Sequence, residues 1–341
     1  METKMNRQWV LVSRPKGPIR ESDFAWREAP VPQPMEGELL VRTLWLSFDP
    51  TQRGWMSMDT YVPAIPLGEV MRAGAVGQVV ESRKPGFAPG DLVQGAFGWQ
   101  DYAVIAGGGI LPLSKLPAGT PPNLALGLFG ITGLTAYFGV QDVATPRAGE
   151  TFVVSGAAGA TGSVAGMIAK ILNARVIGIA GGAAKCDWLL REGGFDAAID
   201  YKKEDVGARL SALCPKGIDV YFDNVGGPIL DAVLARLALH ARIALCGAIS
   251  RYDSVGGAPP PGPANYMNLI LTRARMQGFL VLDYAARFPE ALKALGEWYA
   301  QGRVKQLEDV QQGLENAPRT LIRLFTGANL GKQLLRIADP E

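Results

Sequence analysis

The sequence predicts an α/β protein in which a β-rich N-terminal unit precedes a doubly wound parallel sheet. Three observations carry this. The apolar run Thr151–Ser155 leads into glycines at 156, 159 and 162, and then into Val164, Met167, Ile168, Ile171 and Leu172 at helical spacing. From there to about residue 281, strand-like and helix-like stretches alternate, as parallel strands joined by crossover helices do. Before residue 122, short apolar segments punctuated by Gly and Pro dominate, which reads as β structure.

In the N-terminal unit the predicted strands are 9–13, 38–46, 76–82, 92–96 and 102–105. Residues 84–91, Lys-Pro-Gly-Phe-Ala-Pro-Gly-Asp, form a tight turn between two of them. Gly74 and Gly77 inside a strand-like stretch point to a bulge or a close backbone approach. A closed or partly closed β-barrel would protect the edges of so many short strands. A Pro-rich connection at 112–122 and a glycine-broken helical stretch at 124–140 follow. The boundary is drawn here: residues 1–125 form the first domain, 126–300 the second, and 301–341 return to the first. Strands are expected at 151–155, 175–180, 197–200, 220–223, 242–246 and 276–281, with helices at 162–172, 184–192, 205–213, 228–238 and 265–273. Six such strands suit the order 3-2-1-4-5-6. The Gly/Pro-rich stretch 250–263 is long for an idle loop. Helices at 285–301 and 311–325 and a strand at 333–337 complete the chain.

Composition removes several function classes. The apolar share is 48%, the charged share 19% and the net charge +2, with no Lys/Arg cluster to engage nucleic acid or an anionic membrane. The N-terminus has no apolar run longer than 9–12, so neither a signal peptide nor a membrane span is expected, and the chain reads as cytoplasmic. Cys186, Cys214 and Cys246 are too dispersed for a disulfide framework, and His240 is the single histidine. A catalytic zinc usually needs three protein ligands, so no metal is expected. His240 reads as a structural or surface residue.

Strand, glycine turn and helix together form the context of a dinucleotide fingerprint. A pyrophosphate reaches the free N–H groups of a helix N-terminus only where no side chain intervenes. The spacing is GxxGxxG rather than the commoner GxGxxG. This is a Rossmann-type unit. After the second parallel strand an acid would hold an adenosine ribose and repel a 2′-phosphate. Ile179-Ala-Gly-Gly-Ala-Ala-Lys185 has no acid, and Lys185 offers a cation for that phosphate. The plain alternative is a solvated lysine opening a helix. Asn224 and Ser250 follow the fourth and fifth strands and offer amide and hydroxyl groups for a ribose or carboxamide, while Gly226, Gly227 and Gly247 permit backbone approach. Tyr252 reads either as a donor to a carbonyl oxygen gaining charge or as an amphipathic packing residue. Tyr61, from a loop of the β-rich unit, is a second candidate with the same two readings.

Several strings are specific enough to name a family. They are Leu46-Ser-Phe-Asp-Pro50, Tyr61-Val-Pro and Leu67-Gly-Glu-Val-Met71 in the first unit. In the second they are Gly130-Ile-Thr-Gly-Leu-Thr-Ala-Tyr137, Ala157-Ala-Gly-Ala-Thr-Gly-Ser163, Tyr221-Phe-Asp-Asn-Val-Gly-Gly227 and Cys246-Gly-Ala-Ile-Ser250. The tail adds Glu308-Asp-Val, Gly313-Leu-Glu-Asn-Ala-Pro318 and Asn329-Leu-Gly-Lys332. The chain resembles, nearly end to end, the zinc-independent medium-chain reductases of the prostaglandin reductase, alkenal/one oxidoreductase and curcumin reductase branch.

The resemblance implies a GroES-like barrel domain beside the Rossmann domain, with NADPH between them. It also implies a homodimer, joined along the apolar edge of the last parallel strand. By motif, the cofactor would touch Gly159, Ala160, Thr161, Gly162, Lys185, Tyr201, Asn224, Cys246, Gly247, Ala248, Ile249, Ser250, Tyr252, Phe279, Leu280, Val281 and Asn329. The implied reaction is metal-free NADPH-dependent reduction of the carbon–carbon double bond of a small enone or enal, with Tyr252 and Tyr61 as candidate catalytic groups. A quinone reductase on the same scaffold, or a cofactor-binding protein with little turnover, is the alternative. One departure bears on substrate choice: the family commonly has an aromatic residue after its Asp-Pro pair, where this chain has Thr51.

Overall fold

The computed structural model describes residues 4–108, 111–254 and 260–341. Its N-terminal ribbon pairs β1 (Met5–Leu11) with β2 (Phe24–Pro30), antiparallel. A larger sheet follows from β3 (Leu39–Ser47), β4 (Gly74–Ser82), β5 (Leu92–Ala96), β6 (Tyr102–Ile105) and β7 (Ser114–Lys115). The parallel sheet contains β8 (Thr151–Ser155), β9 (Arg175–Ala180), β10 (Ala197–Asp200), β11 (Ile218–Asp223), β12 (Leu237–Leu245) and β13 (Arg275–Gly278). The chain closes with β14 (Glu308–Gln312) and β15 (Lys332–Arg336).

The parallel sheet runs β10-β9-β8-β11-β12-β13, which is the doubly wound order with the glycine turn on its central strand. Phe152 and Val154 on one face of β8, and Val153 on the other, are buried in separate hydrophobic cores, as a sheet covered by helices on both sides requires. The other sheet runs β14-β15-β3-β4-β5-β7, with β6 also on β3. Its pairing path is open, so the barrel is partly closed. β15 pairs antiparallel with β3, so the chain's last strand lies beside its early ones. Gly77 lies opposite a β3 bulge, where a Cβ would come within 2.4 Å of Val41 Cγ1. That is the close backbone approach the sequence suggested.

Several elements differ from expectation. The first strand starts at Met5 rather than Trp9, because Asn6 and Gln8 point inward. The Asn6 amide donates to Tyr102 O at 2.8 Å, and that of Gln8 to Gln100 Oε1 at 2.8 Å. Inward polar residues hide the alternation of apolar ones. β2 went unpredicted because most of it is exposed and carries Arg27, Glu28 and Pro30. Residues 311–312 belong to β14, not to a helix. β14 is held by pairing with β15 and by the Gln333 amide donating to Asp309 O at 2.8 Å. The helix there is confined to Ala317–Thr326. The 124–140 stretch divides into helices Pro122–Leu126 and Ile131–Phe138 and a π-helical turn, Gly139–Ala144. The helix predicted at 228–238 ends at Leu234, and β12 begins at Leu237. The helix predicted at 265–273 narrows to Asn268–Thr272. The sixth parallel strand ends at Gly278 rather than 281, and a 3-10 turn, Val281–Arg287, follows. Of the 250–263 loop, residues 255–259 lie outside the described residues.

Candidate active site

The site is built at the carboxyl ends of the parallel strands. β8 ends at Ser155, Gly156 turns with φ 58°, and Gly159 caps the helix Ala160–Ile171. The Ser163 N–H is the first to bond inside the helix, to Gly159 O at 3.0 Å, which leaves the amides of Ala160, Thr161 and Gly162 as free donors. A Cβ on Gly162 would lie 2.3 Å from Gly156 O. The helix therefore packs directly on the turn, and its amino end is presented to a ligand without an intervening side chain.

Lys185 lies on the helix Ala183–Arg191, which follows β9, and donates to Gly327 O at 2.9 Å. Burial, reinforced by the nearby Lys202 charge, pulls the Lys185 ammonium below its usual range. Two cations meeting in a partly dry place form a receptor for a doubly charged anion. Sequence reasoning missed Lys202, because it sits in an ordinary-looking Lys202-Lys203 pair after β10. Tyr201 is 45% exposed and its ring lies over Gly181, where a Cβ would meet it at 2.8 Å. The acid absent after β9 is supplied by β10: Asp200 accepts from the Gly182 amide at 2.8 Å and the Lys202 amide at 3.1 Å. Those two amides hold it below the usual carboxylate range. Its charge is engaged by the backbone rather than offered to a ribose.

Asn224 and Ser250 are more committed than expected. The Asn224 amide donates to Ser155 O at 2.8 Å, so one side of the group is structural. The Ser250 hydroxyl donates to Val225 O at 2.6 Å and is used within the protein. Cys246, Gly247 and Ala248 follow β12, with Ile249 opening the 3-10 turn Ile249–Ser254. Dry surroundings and the Asp223 charge push the Cys246 thiol up to about 12, so it acts as an inert apolar lining.

Within that 3-10 turn, the Tyr252 hydroxyl accepts from the Ala248 amide at 3.4 Å, and a Cβ on Gly247 would lie 3.3 Å from it. Burial is the main influence raising the Tyr252 pKa, and the Tyr61 phenol adds to it, which puts the two tyrosines in one neighbourhood. Tyr252 is therefore a neutral phenol near pH 7, able to donate. Tyr61 is 47% exposed, and its hydroxyl is 2.9 Å from Thr51 Oγ1. Thr51 thus holds Tyr61 with a hydrogen bond.

Two contacts bring the two sheets together here, and an ion pair within the first unit, between the start of β15 and the end of β3, stands between them. The Gly331 amide donates to Ala158 O at 2.9 Å, and Gly159 and Gly331 form a parallel bridge. The buried Lys332 ammonium reaches Asp49 and donates to Phe48 O at 3.1 Å. The fully buried Arg53 guanidinium faces Asp253 at 3.8 Å. Asn329 donates to Gly331 O at 2.9 Å, beside the glycine turn. Phe279 packs edge-on against Phe222 at 6.2 Å between ring centres. Leu280 follows, and Val281 is buried in the core, so only its backbone is available to a ligand.

Residues 7–113 match the profile of a family described as the N-terminal domain of oxidoreductase, and residues 160–297 that of zinc-binding dehydrogenase. The NADPH-dependent curcumin reductase of Escherichia coli (strain K12) is 42% identical over 346 residues, covering 100% of this chain and 99% of that protein. The 2-alkenal reductase (NADP(+)-dependent) of Nicotiana tabacum is 39% identical over 347 residues, 99% of each. The crystal structure of CurA in complex with NADPH, from Vibrio vulnificus, matches with a TM-score of 0.91 at 42% identity, over 98% of this chain and 100% of that one. NADPH fits the residues here: free amides at a helix end, a turn a Cβ would fill, and paired lysines for the extra phosphate. Zinc does not fit. His240 lies within β12 and the three cysteines on separate elements, and among the described residues no group of three His, Cys, Asp or Glu could hold a metal. No helix among those residues is long and apolar enough to cross a membrane.

Replacing Lys185 by Ala is expected to weaken NADPH about ten- to a hundred-fold, the worth of one charge-assisted hydrogen bond, and to leave NADH nearly unchanged. Lys202→Ala should act in the same direction but less, since Lys202 is the more exposed of the two. Fluorescence titration with each cofactor reads this directly, and equal losses for both cofactors would remove the phosphate role.

Proposed function

The chain belongs to the medium-chain dehydrogenase/reductase family, in its curcumin, 2-alkenal and prostaglandin reductase branch, and from that premise we propose that it reduces the carbon–carbon double bond of α,β-unsaturated ketones and aldehydes. It is an NADPH-dependent reductase. When bound, NADPH supplies the hydride, which goes to the β-carbon of the conjugated alkene. The reading is carried by Tyr252, a neutral phenol beyond the carboxyl end of β12 beside Gly247 and Ala248. As the substrate carbonyl oxygen gains enolate charge, the Tyr252 hydroxyl donates to it. A donor already in place stabilises that charge without reorganisation. The proton for the α-carbon comes from Tyr252 or from water. Tyr61, held by Thr51, lines the opposite wall. Its hydrogen bond to a small threonine leaves a pocket shaped differently from one lined by the family's usual aromatic, so the breadth of accepted enones is this chain's own.

The amino end of the helix Ala160–Ile171 takes the pyrophosphate, and Lys185 with Lys202 the 2′-phosphate. Tyr201, Asn224, residues 246–250, residues 279–281 and Asn329 surround the rest. The division into domains 1–125 and 126–300, with 301–341 rejoining the first, is supported by the two sheets and by the pairing of β15 with β3. Three free thiols suit a reducing, cytoplasmic setting. The reaction as drawn uses no metal, since the carbonyl oxygen has a phenol donor.

A homodimer is part of the same reading. β13 is an edge strand, and Tyr266, Met267, Ile270 and Leu271 beside it are each more than half exposed. A second copy pairing along that edge would cover both. Light scattering after size exclusion is expected to give twice the 36.3 kDa chain mass at micromolar concentration, and a monomer mass would reject the dimer.

A panel of enones, enals and quinones assayed by NADPH oxidation tests the activity. Turnover is expected with enones and enals. Turnover confined to quinones would replace the reading by quinone reduction, and slow turnover with all of them by cofactor binding.

Tyr252→Phe removes one oxygen. Turnover on an enone should fall at least about ten-fold, the low end for loss of a general acid, because water can replace part of the role. NADPH affinity should hold, since the interaction strengthens only as charge develops. Parental turnover in Tyr252→Phe, with loss in Tyr61→Phe, would move the acid to the opposite wall of the cleft.

A further inference from the structure

At the amino ends of β12 and β13, on the edge of the parallel sheet opposite the glycine turn, is a recess of about 290 Å³. Its wall is basic: Arg147, Arg242, Arg273 and Arg275 line it, with His240 and Thr145. Arg242 and Arg275 are register partners on adjacent strands, which sets two guanidinium groups side by side. Nothing in the reductase reading uses them.

Their partners leave most of the charge unmatched. Arg242 is half-buried and clamped by Glu150, with further bonds to Ala144 O at 3.3 Å and Thr145 O at 2.9 Å. Arg275 donates to Val143 O at 2.8 Å and Arg273 to Leu271 O at 3.0 Å, each through a single nitrogen. Among the described residues, Arg147, Arg273 and Arg275 form no ion pair, and Glu150 is the one carboxylate bonded to the cluster. A guanidinium carries five N–H donors, so carbonyl bonds that use one hold the group in place and leave the rest directed elsewhere. Three positive charges remain without a partner.

The backbone adds an independent observation. Among the described residues, four non-glycine residues have positive φ, and three of them line this recess: Thr145 at 46°, His240 at 62° and Arg273 at 50°. For a β-branched residue such as Thr145 this is an outlier. Glycine would relieve all three and stands at none. Thr145 and Arg273 are left-handed caps, ending the turn Gly139–Ala144 and the helix Asn268–Thr272, so the recess is bounded by helix ends that carry side chains where glycine is usual.

We propose that this recess is an anion site, separate from the cofactor cleft, for a small ligand bearing two phosphoryl groups. The volume is at the lower end for a small-molecule site, which suits a compact ligand. Forked guanidinium groups match phosphoryl oxygens. One phosphate monoester carries about −1.5 to −2 at neutral pH, so a pair of phosphoryl groups meets three unmatched positive charges better than one does.

Pyrophosphate is the probe. Calorimetric titration is done at constant ionic strength into protein already saturated with NADPH, so that the phosphate-binding groups of the cleft are filled. Saturable binding of one pyrophosphate per chain is expected, with inorganic phosphate weaker. Arg147→Ala and Arg273→Ala should each weaken pyrophosphate about ten-fold. Neither should alter NADPH affinity or melting temperature, since among the described residues the Arg147 side chain makes no hydrogen bond and that of Arg273 makes one to its own turn. The site is rejected if the NADPH-saturated protein takes up no pyrophosphate, if the double variant binds it as tightly as the parent, or if chloride at equal ionic strength competes as well as sulfate.

Discussion

Asp223 has a buried carboxylate whose Oδ1 accepts from the Ser155 hydroxyl at 2.9 Å, the Tyr221 hydroxyl at 2.8 Å, and the amides of Val225 and Gly226 at 3.0 and 2.9 Å. Its backbone carbonyl accepts from the amides of Cys246 and Gly247. One residue therefore ties the ends of β8, β11 and β12. A buried charge is tolerable only when its lone pairs are filled, and here donors from two adjacent strands and the following turn fill them. Removing the carboxylate would leave those donors without their shared partner in the interior. The glycine turn after β8, the Asn224 turn after β11 and the 246–252 turn after β12 keep their mutual geometry through this residue together with the Asn224–Ser155 and Ser250–Val225 bonds.

The second dependence is the seam between the sheets. Helix packing on the glycine turn would yield only a cofactor shelf. The Gly331–Ala158 bond and the Arg53–Asp253 approach set the other wall against that shelf, and the Lys332–Asp49 ion pair braces that wall from within. Lys332 and Arg53 are both buried: Lys332 meets Asp49 and Phe48 O, and Arg53 meets Pro15 O and Gly17 O of its own unit and Asp253 of the other. These polar ties stand where an apolar contact would be less directional. They hold Tyr61 and Tyr252 in one neighbourhood though their residues are far apart in the chain.

The two ends of the parallel sheet are electrostatically unlike. At the carboxyl ends, the amides of a helix end and a pair of lysines lie on the side of the glycine turn. At the amino ends, arginines gather around strained backbone without any such motif. Only the first is written as a local string, because a glycine turn must be contiguous. The second is assembled from residues 145 to 275 by strand register, and register is not visible along the chain.

The residues alone determined the alternation of strands and helices and the glycine turn, because apolar periodicity and glycine spacing are local, and six such strands suited the doubly wound order that the structure shows. They also determined the absence of an acid after β9 and the lysine in its place. What only the tertiary structure decided are the features that depend on partners distant in sequence. Asn6 and Gln8 extend the first strand ahead of its expected start because Tyr102 O and Gln100 satisfy their amides inside. Residues 311–312 looked helical until β15 offered a ladder. Ser250 looked free until Val225 O claimed its hydroxyl, and nothing along the chain marked Lys202, which folding brings beside Lys185. In each case a polar group's role follows from its hydrogen-bond or charge partner, and that partner is chosen by packing rather than by sequence distance.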